Sequence, residues 1–290
     1  MNRCKAHFAN NLYFHVQFNR SLHIIQTGIL MIVDHPTKPL SQFDIEVGLL
    51  QLGLQQGQVV EVHSSLSSLG WVEGGAGTVI NALMNAVGLE GTIVMSAYPV
   101  SKLLPLTEEE KSWGILGKVR VFDDDYRAPT GMGVIADEFC ARPDTILGPS
   151  PHRVCAWGRN AEQLSQGYQV LLEMDGDVLL LGVDIERCSC MHQAEKTPLP
   201  PEIAGIFNLP DELGALYPDD IYVAYGQSPE NAWLKIQSQA EQAGIIKIGK
   251  IGQAVCRFFK ARPVVNAYEE ALRTDPWALY GVKKQVSELP

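Results

Sequence analysis

The chain has 290 residues, of which 46% are hydrophobic and 19% are charged, a composition typical of a globular protein rather than a disordered one. Its 23 basic and 33 acidic residues give a formal charge of −10. An acidic surface repels nucleic acids and anionic membranes, so we predict neither as a partner and expect that cationic ligands are tolerated or attracted.

Residues 1–35 show no pattern that continues into the rest of the chain, and we interpret them as an N-terminal extension before one domain over residues 36–290. Their apolar segment, residues 22–33, is too short to span a bilayer and is interrupted by His23 and Gln26. Met31 is an alternative start, and the sequence leaves both interpretations open. Six cysteines are too few for a disulfide scaffold, which predicts a reducing, cytoplasmic setting.

The first elements predict a parallel crossover unit. Ser41 is a suitable N-cap for a helix over residues 41–54, and a short buried strand follows at residues 59–62. Apolar residues at helical spacing predict a helix at 79–87, and residues 91–98 predict a second buried strand. Strand, helix and strand in this order are typical of parallel pairing. Residues 99–130 predict a long irregular region.

The remaining elements continue the alternation. We predict a helix over residues 133–143, strands at 154–158 and 177–184, and a helix that opens near His192. A strand at 221–226 and a helix over 231–244 follow, and residues 248–276 predict two more helices. The sequence therefore predicts a single α/β domain with a mixed, partly parallel central sheet flanked by helices.

Two strand ends carry the candidate sites, because ligands of open α/β sheets bind beyond the carboxyl ends of strands. The first, HSSLSSLGWVEGG, follows residues 59–62 and is rich in serine and glycine. Its backbone N–H groups could form an anion site for a phosphate or pyrophosphate. The alternative is a serine-rich turn that caps a helix. It is neither a Walker loop nor a Gly-x-Gly-x-x-Gly motif.

The second strand end is CSCMHQAE, residues 188–195. A metal site would use Cys188, Cys190 and His192, but this spacing is unusual for zinc and no second pair completes four ligands, so we predict no metal. A catalytic site would use His192 as general base, with Glu195 three residues on, on the same helical face. The third interpretation is an ordinary helix start with Ser189 as N-cap.

Four segments in the same order resemble the aminoglycoside 3-N-acetyltransferase family, whose members modify antibiotics with acetyl-CoA. The resemblance covers roughly residues 40–275 and rests on these four segments: VHSSLSSLGWVEGGAGTVINALMNAVGLEGTIVMSAY, FDDDYRAPTGMGVIADEFCARP, LLLGVDIERCSCMHQAE and IGKIGQAVCRFF. The last is similar to a C-terminal helix of the family.

The resemblance implies an acetyl-CoA-dependent N-acetyltransferase in which His192 takes a proton from the 3-amino group of an aminoglycoside, supported by Glu195, and the amine attacks the thioester directly. It assigns the coenzyme site to one run of residues and two further positions: His63, Ser64, Ser65, Leu66, Ser67, Ser68, Leu69, Thr130 and Ser189. An aminoglycoside is a polycation, so acids are expected to bind it. The candidate acids are Glu73, Asp123, Asp124, Asp125 and Asp184. The assembly is expected to be a monomer or a homodimer.

The chain departs from the family at residues 148–153, GPSPHR, where the family usually has Arg-Ser-x-His-Pro-x-x-Ser. His152 is displaced, and Arg153 stands where the family has its second serine. Two alternatives follow from this departure: an acyltransferase of the same fold for another small amine, or a catalytically silent homologue that still binds the coenzyme.

Overall fold

A seven-stranded mixed sheet forms the centre of the fold in the computed structural model, which describes residues 38–123, 130–149, 153–227 and 229–283. The strand order is β4-β5-β2-β1-β6-β9-β8, and β3 pairs with β7 in a separate two-stranded sheet. The strands are β1 Val59–Ser64, β2 Thr92–Ser96, β3 Ile115–Arg120, β4 Ile146–Leu147, β5 Val154–Gly158, β6 Asp177–Leu181, β7 Ile221–Tyr225, β8 Lys247–Ile251 and β9 Ala254–Lys260.

The three central strands run parallel, since β1 pairs with β2 on one side and with β6 on the other, while the outer pairings are antiparallel. All five residues of β2 and of β6 are buried, as expected for strands covered on both faces. In the register of β1 and β6, Ser64 lies opposite Leu181. The carboxyl ends of these strands therefore meet, which brings the two candidate segments to one edge of the sheet.

Helices cover both faces. They are α1 Gln42–Leu52, α2 Leu66–Leu69, α3 Gly75–Val87, α4 Glu108–Ser112, α5 Val134–Cys140, α6 Ala161–Leu164, α7 Tyr168–Glu173, α8 Pro201–Phe207, α9 Asp211–Gly214, α10 Glu230–Gln242, α11 Ala261–Thr274 and α12 Pro276–Tyr280. One apolar core joins α1, α3 and α5 to the sheet, and a second joins α7, α10 and α11 to the opposite face. Ser41 caps α1 through a capping box, as predicted.

The prediction of two helices over residues 248–276 is wrong in its first half, which is the hairpin of β8 and β9. The helix expected from the family resemblance at IGKIGQAVCRFF is corrected in the same way. The two strands are joined by Gly252 and Gln253, and Gly252 has a φ of +59°, in the left-handed region that short hairpin loops require. Buried residues alternate along β9, as in Ala254, Cys256 and Phe258, which is the period of a strand.

The prediction of an irregular region at residues 99–130 is also wrong in part, because it contains α4 and β3. β3 alternates buried and exposed residues and pairs with β7, which follows about a hundred residues later in the chain. Residues 1–37 are outside the described part, so the predicted boundary at residue 35 stays a prediction. Across the described ranges, no helix has both the length and the apolar character needed to cross a membrane.

Candidate active site

The segment that carries His192 is a 3₁₀ helix over Ser189–Lys196, called the His192 helix below. The N–H of Ser189 donates to Nε2 of His63 at 3.1 Å, and the N–H of Cys190 donates to Oε1 of Glu61 at 3.1 Å. Both acceptors lie on β1. The first N–H groups of a helix need partners from outside it, and side chains from the neighbouring strand supply them here. These bonds fix the start of the His192 helix against the sheet.

His192 and Glu195 form a buried pair. Nδ1 of His192 lies 2.7 Å from Oε2 of Glu195, and both side chains are 6% exposed. The predicted shared face is confirmed, but in a 3₁₀ helix, where residues three apart lie directly above each other. Trp233 of α10 packs edge-on against the imidazole, with ring centroids 5.0 Å apart and planes at 71°. The imidazole is thus held by a carboxylate at one nitrogen and by an aromatic ring at its side.

A chain of buried hydroxyls lies beside the pair. Ser96, at the end of β2, is 2.8 Å from the hydroxyl of Ser189 and 2.6 Å from that of Tyr168. Burial raises the pKa of Tyr168 well above its ordinary value, and it raises the pKa of nearby Tyr98 as well. Both phenols are therefore neutral at physiological pH and act as hydrogen-bonding groups. The predicted site residue Ser189 belongs to this chain of hydroxyls.

A cleft with a volume of about 820 Å³ opens over these side chains. His63, Ser96, Tyr98, Ser189, His192 and Trp233 line it. Its size is that of a small-molecule site, and it combines apolar walls with a few convergent polar groups. The structure therefore brings the predicted His192, Ser189 and His63 together at one cavity.

A second cavity of about 430 Å³ lies at the serine-rich turn. Ser64, Ser65, Leu66 and Ser67 line it, together with Gly75 at the start of α3. Ser64, Gly133 and Val134 line both cavities, so the two adjoin. Of the predicted coenzyme residues, two in this turn lie on neither wall. Leu69 is buried in the core, and the hydroxyl of Ser68 donates to that of Ser65 at 2.9 Å.

The predicted acids that the structure describes, Glu73, Asp123 and Asp184, line neither cavity. Glu73 and Asp123 are exposed, and Asp184 makes an ion pair with Arg257 at 2.6 Å. Asp124 and Asp125 lie outside the described residues. The acids that do line the cleft are Asp137 and Glu138 of α5.

Two residues that the sequence singled out, Thr130 and Arg153, are buried and make hydrogen bonds near the cleft. Thr130 is buried, and its Oγ1 donates to Oδ1 of Asp137 at 2.8 Å, so this predicted coenzyme residue faces an acid and lines neither cavity. Arg153 is fully buried, and its Nε donates to the carbonyl of Ala97, at the end of β2. Arg153, the last residue of the segment that departs from the family pattern, is thus a buried cation next to the end of β2. His152 lies outside the described residues.

Sequence reasoning missed Glu61, Ser96, Tyr98, Tyr168 and Trp233. Glu61 could have been found from the sequence, because it is a charged residue within the apolar strand VVEVHS. A fully buried charge costs free energy and is therefore often functional. The others are ordinary core residues in sequence, and only the folded chain shows that they surround one histidine. Glu61 also groups with Cys188 and Cys190, a possible metal-ligand set.

The fold and this site define an α/β enzyme with a buried histidine–glutamate pair at the end of parallel strands. A sequence model of the aminoglycoside 3-N-acetyltransferase family matches residues 62–273, and the chain belongs to that family of acyltransferases. This confirms the predicted family and fold class.

Individual relatives and solved structures are consistent with this family. The chain is 30% identical over 275 residues to the SPbeta prophage-derived aminoglycoside N(3')-acetyltransferase-like protein YokD of Bacillus subtilis (strain 168), covering 82% of this chain and 94% of the relative. The structure is similar to that of a mutant of aminoglycoside acetyltransferase AAC(3)-IVa in complex with a gentamicin, with a TM-score of 0.63, 22% identity and coverage of 85% and 95%. It is also similar to AAC-IIIb with CoASH, with a TM-score of 0.62, 21% identity and coverage of 81% and 97%.

Proposed function

We propose that the chain transfers the acetyl group of acetyl-CoA to the 3-amino group of an aminoglycoside, with His192 as general base and Glu195 as its partner. The observation that carries this proposal is the His192–Glu195 pair at the wall of a cleft that adjoins the serine-rich cavity. Two similar solved proteins support it, one in complex with CoASH and one with a gentamicin.

The amine requires a base, because it is protonated at neutral pH and is then no nucleophile. Since Nδ1 of His192 is engaged by Glu195, Nε2 is the nitrogen that accepts the substrate proton. The carboxylate stabilises the imidazolium that forms. The thioester then faces an uncharged amine, and the bond from the amine nitrogen to the acetyl carbon forms as the bond to the CoA sulfur breaks. The nitrogen loses its second proton to the departing sulfur, which leaves as the free thiol of CoA, and His192 releases its proton to solvent.

The serine-rich turn and the start of α3 are the proposed binding region of the coenzyme. Ser64, Ser65 and Ser67 line the cavity together with Gly75, the first residue of the 13-residue helix α3. A helix start with small residues offers backbone N–H groups and a partial positive charge to a phosphate. A coenzyme bound here directs its thioester past Ser64 into the cleft of His192.

A second candidate, an acetyltransferase for a less cationic amine, is favoured by the charges of the cleft. Among the described lining residues, the acids Asp137 and Glu138 are matched by the cations Lys102 and Arg187. A polycationic aminoglycoside gains most from a cleft with a clear excess of acid. The described walls do not have that excess.

The test is release of free CoA thiol by purified full-length protein with acetyl-CoA and a panel of aminoglycosides and simple monoamines. We expect release that requires an amine and falls roughly a hundredfold or more in His192→Ala. Gln193→Ala, a change at the neighbouring position of the same helix, is the matched control and keeps most of the rate. Binding of acetyl-CoA by calorimetry without release for any amine would overturn the proposal in favour of a silent homologue.

The same panel separates the two candidates. Turnover with aminoglycosides, and acetylation mapped to the 3-amino group by mass spectrometry and NMR, supports the first. Turnover with monoamines alone refutes the first and supports the second.

A further inference from the structure

Three buried side chains, one of which lines the cleft, form a cluster that the proposed acetyl transfer does not use. Sγ of Cys188, Sγ of Cys190 and a carboxylate oxygen of Glu61 all lie within 4.8 Å of one another, and all three residues are fully buried. The two sulfur atoms are 3.4 Å apart. The donor set differs from the one considered in sequence, because β1 supplies a carboxylate and His192 is engaged with Glu195 instead.

A second observation points to a missing partner. Oε2 of Glu61 is buried and, among the described residues, has no hydrogen-bond partner. The other oxygen, Oε1, accepts from the N–H of Cys190 and lies 2.6 Å from Nε2 of His63. A buried carboxylate oxygen without a donor costs free energy that a bound cation would offset.

The geometry points to a zinc ion bound by Glu61, Cys188 and Cys190, and we propose this site. Tetrahedral zinc with bonds of about 2.3 Å to sulfur separates two sulfur ligands by roughly 3.8 Å, so the thiols must part by only about 0.4 Å. Two thiolates favour zinc over magnesium or calcium, which prefer oxygen ligands alone. Cys188 also lines the cleft, which is the side from which a water molecule would reach the fourth position.

Binding is an exchange of protons for metal. An uncoordinated thiol has an ordinary pKa of about 8.5 and so carries its proton at neutral pH. On binding, two S–H bonds break, two Zn–S bonds form and two protons leave to solvent, with no electron transferred. Glu61 contributes a carboxylate oxygen as the third protein ligand.

The site would tie the sheet to the His192 helix. Cys188 and Cys190 flank Ser189 at the start of that helix, and Glu61 belongs to the central strand β1. Zinc would therefore add metal bonds to a junction now held by two N–H donations. The proposal goes beyond the acetyl transfer and does not depend on it.

The test titrates full-length protein, reduced and freed of metal with a chelator, with Co²⁺ and then Zn²⁺. We expect one Co²⁺ per chain, a near-ultraviolet charge-transfer band from sulfur to cobalt, displacement by Zn²⁺ and release of two protons per ion. Replacing a ligand should weaken binding by roughly a hundredfold or more, since even outer partners of metal ligands are worth about 10- to 100-fold. The ligand variants are Glu61→Gln, Cys188→Ser and Cys190→Ser.

Cys256→Ser is the matched control, because Cys256 is equally buried but lies outside the cluster. It should keep the band and the stoichiometry. Circular dichroism checks that each variant is folded, and thermal melting gives an independent readout: Zn²⁺ should raise the Tm of the parent protein and of Cys256→Ser but not that of Glu61→Gln. The site is refuted if the parent protein gives no sulfur-to-cobalt band, or if the band persists when both Cys188 and Cys190 are replaced.

Discussion

Replacing Glu195 by Gln tests whether the carboxylate acts through His192. The substitution keeps the size of the side chain and an oxygen that can accept the Nδ1–H hydrogen bond at 2.7 Å, but it removes the negative charge. In the proposed mechanism His192 becomes positively charged in the transition state. Glu195→Gln removes a negative charge that stabilises the imidazole only once it is protonated. The loss should therefore appear in kcat.

The magnitude follows from the burial of the pair. Two unit charges about 4 Å apart interact by roughly 4 kcal/mol at an effective dielectric constant of about 20, before the cost of removing them from water is subtracted. Hydrogen bonds to charged groups contribute about 1.5–3 kcal/mol net. At about 1.4 kcal/mol for each factor of ten, we expect kcat to fall by about 10- to 150-fold.

The assay is thiol release under saturating substrates, with Glu202→Gln as control, because Glu202 is exposed on α8. A double-mutant cycle decides the mechanism. In a His192→Ala background, Glu195→Gln should change the remaining rate by less than about twofold, since the group that it stabilises is gone. An equal loss in both backgrounds would refute the reasoning and assign Glu195 to the substrate itself.

Three further substitutions test the surrounding structure. Ser96→Ala leaves two buried hydroxyls without their shared partner and should cost about 1–3 kcal/mol in urea unfolding, with an unchanged urea midpoint contradicting the network. Gly182→Ala should cost about 2–4 kcal/mol, because φ is +70° and a Cβ would lie 2.5 Å from that of Ser68; a fall in melting temperature of under about 1 °C would count against this contact. The Lys118 ammonium lowers the pKa of Glu110 from 4.5 to about 2, so the stabilisation is complete above pH 4.5 and is lost as pH falls toward 2. Glu110→Gln should therefore lose roughly 1–3 kcal/mol at about pH 6 and little at about pH 2, and an equal deficit at both would exclude the titration.

Local patterns predicted most of the sheet because its central strands are short apolar runs between turns. β2, β5 and β6 were each predictable in this way. The hairpin of β8 and β9 was not, since its apolar residues also fit a helical spacing and its loop has only two residues. β3 was missed for a different reason: its partner β7 is distant in the chain, and pairing of that kind has no local signature.

For the site, the sequence predicted the contact between His192 and Glu195 but not the residues that surround this pair. His192 and Glu195 are three apart, so their contact followed from helical geometry. Glu61, Ser96 and Trp233 come from three other elements, and their approach depends on packing that no spacing encodes. Asp184 lines neither cavity for a similar reason, because it is paired with Arg257, a residue of β9 that had been predicted as helix.

The alternation of β1 sends its apolar and its polar side chains to opposite faces of the sheet. Val60 and Val62 point into the core with α1 and α3, whereas Glu61 and His63 point to the opposite face, where they accept from the His192 helix. The strand ends at Ser64, which lines both cavities. A one-residue shift of β1 would move the carboxylate into the first apolar core and leave the start of the His192 helix without acceptors. The register of this strand with β6 therefore determines where the His192 helix is held against the sheet.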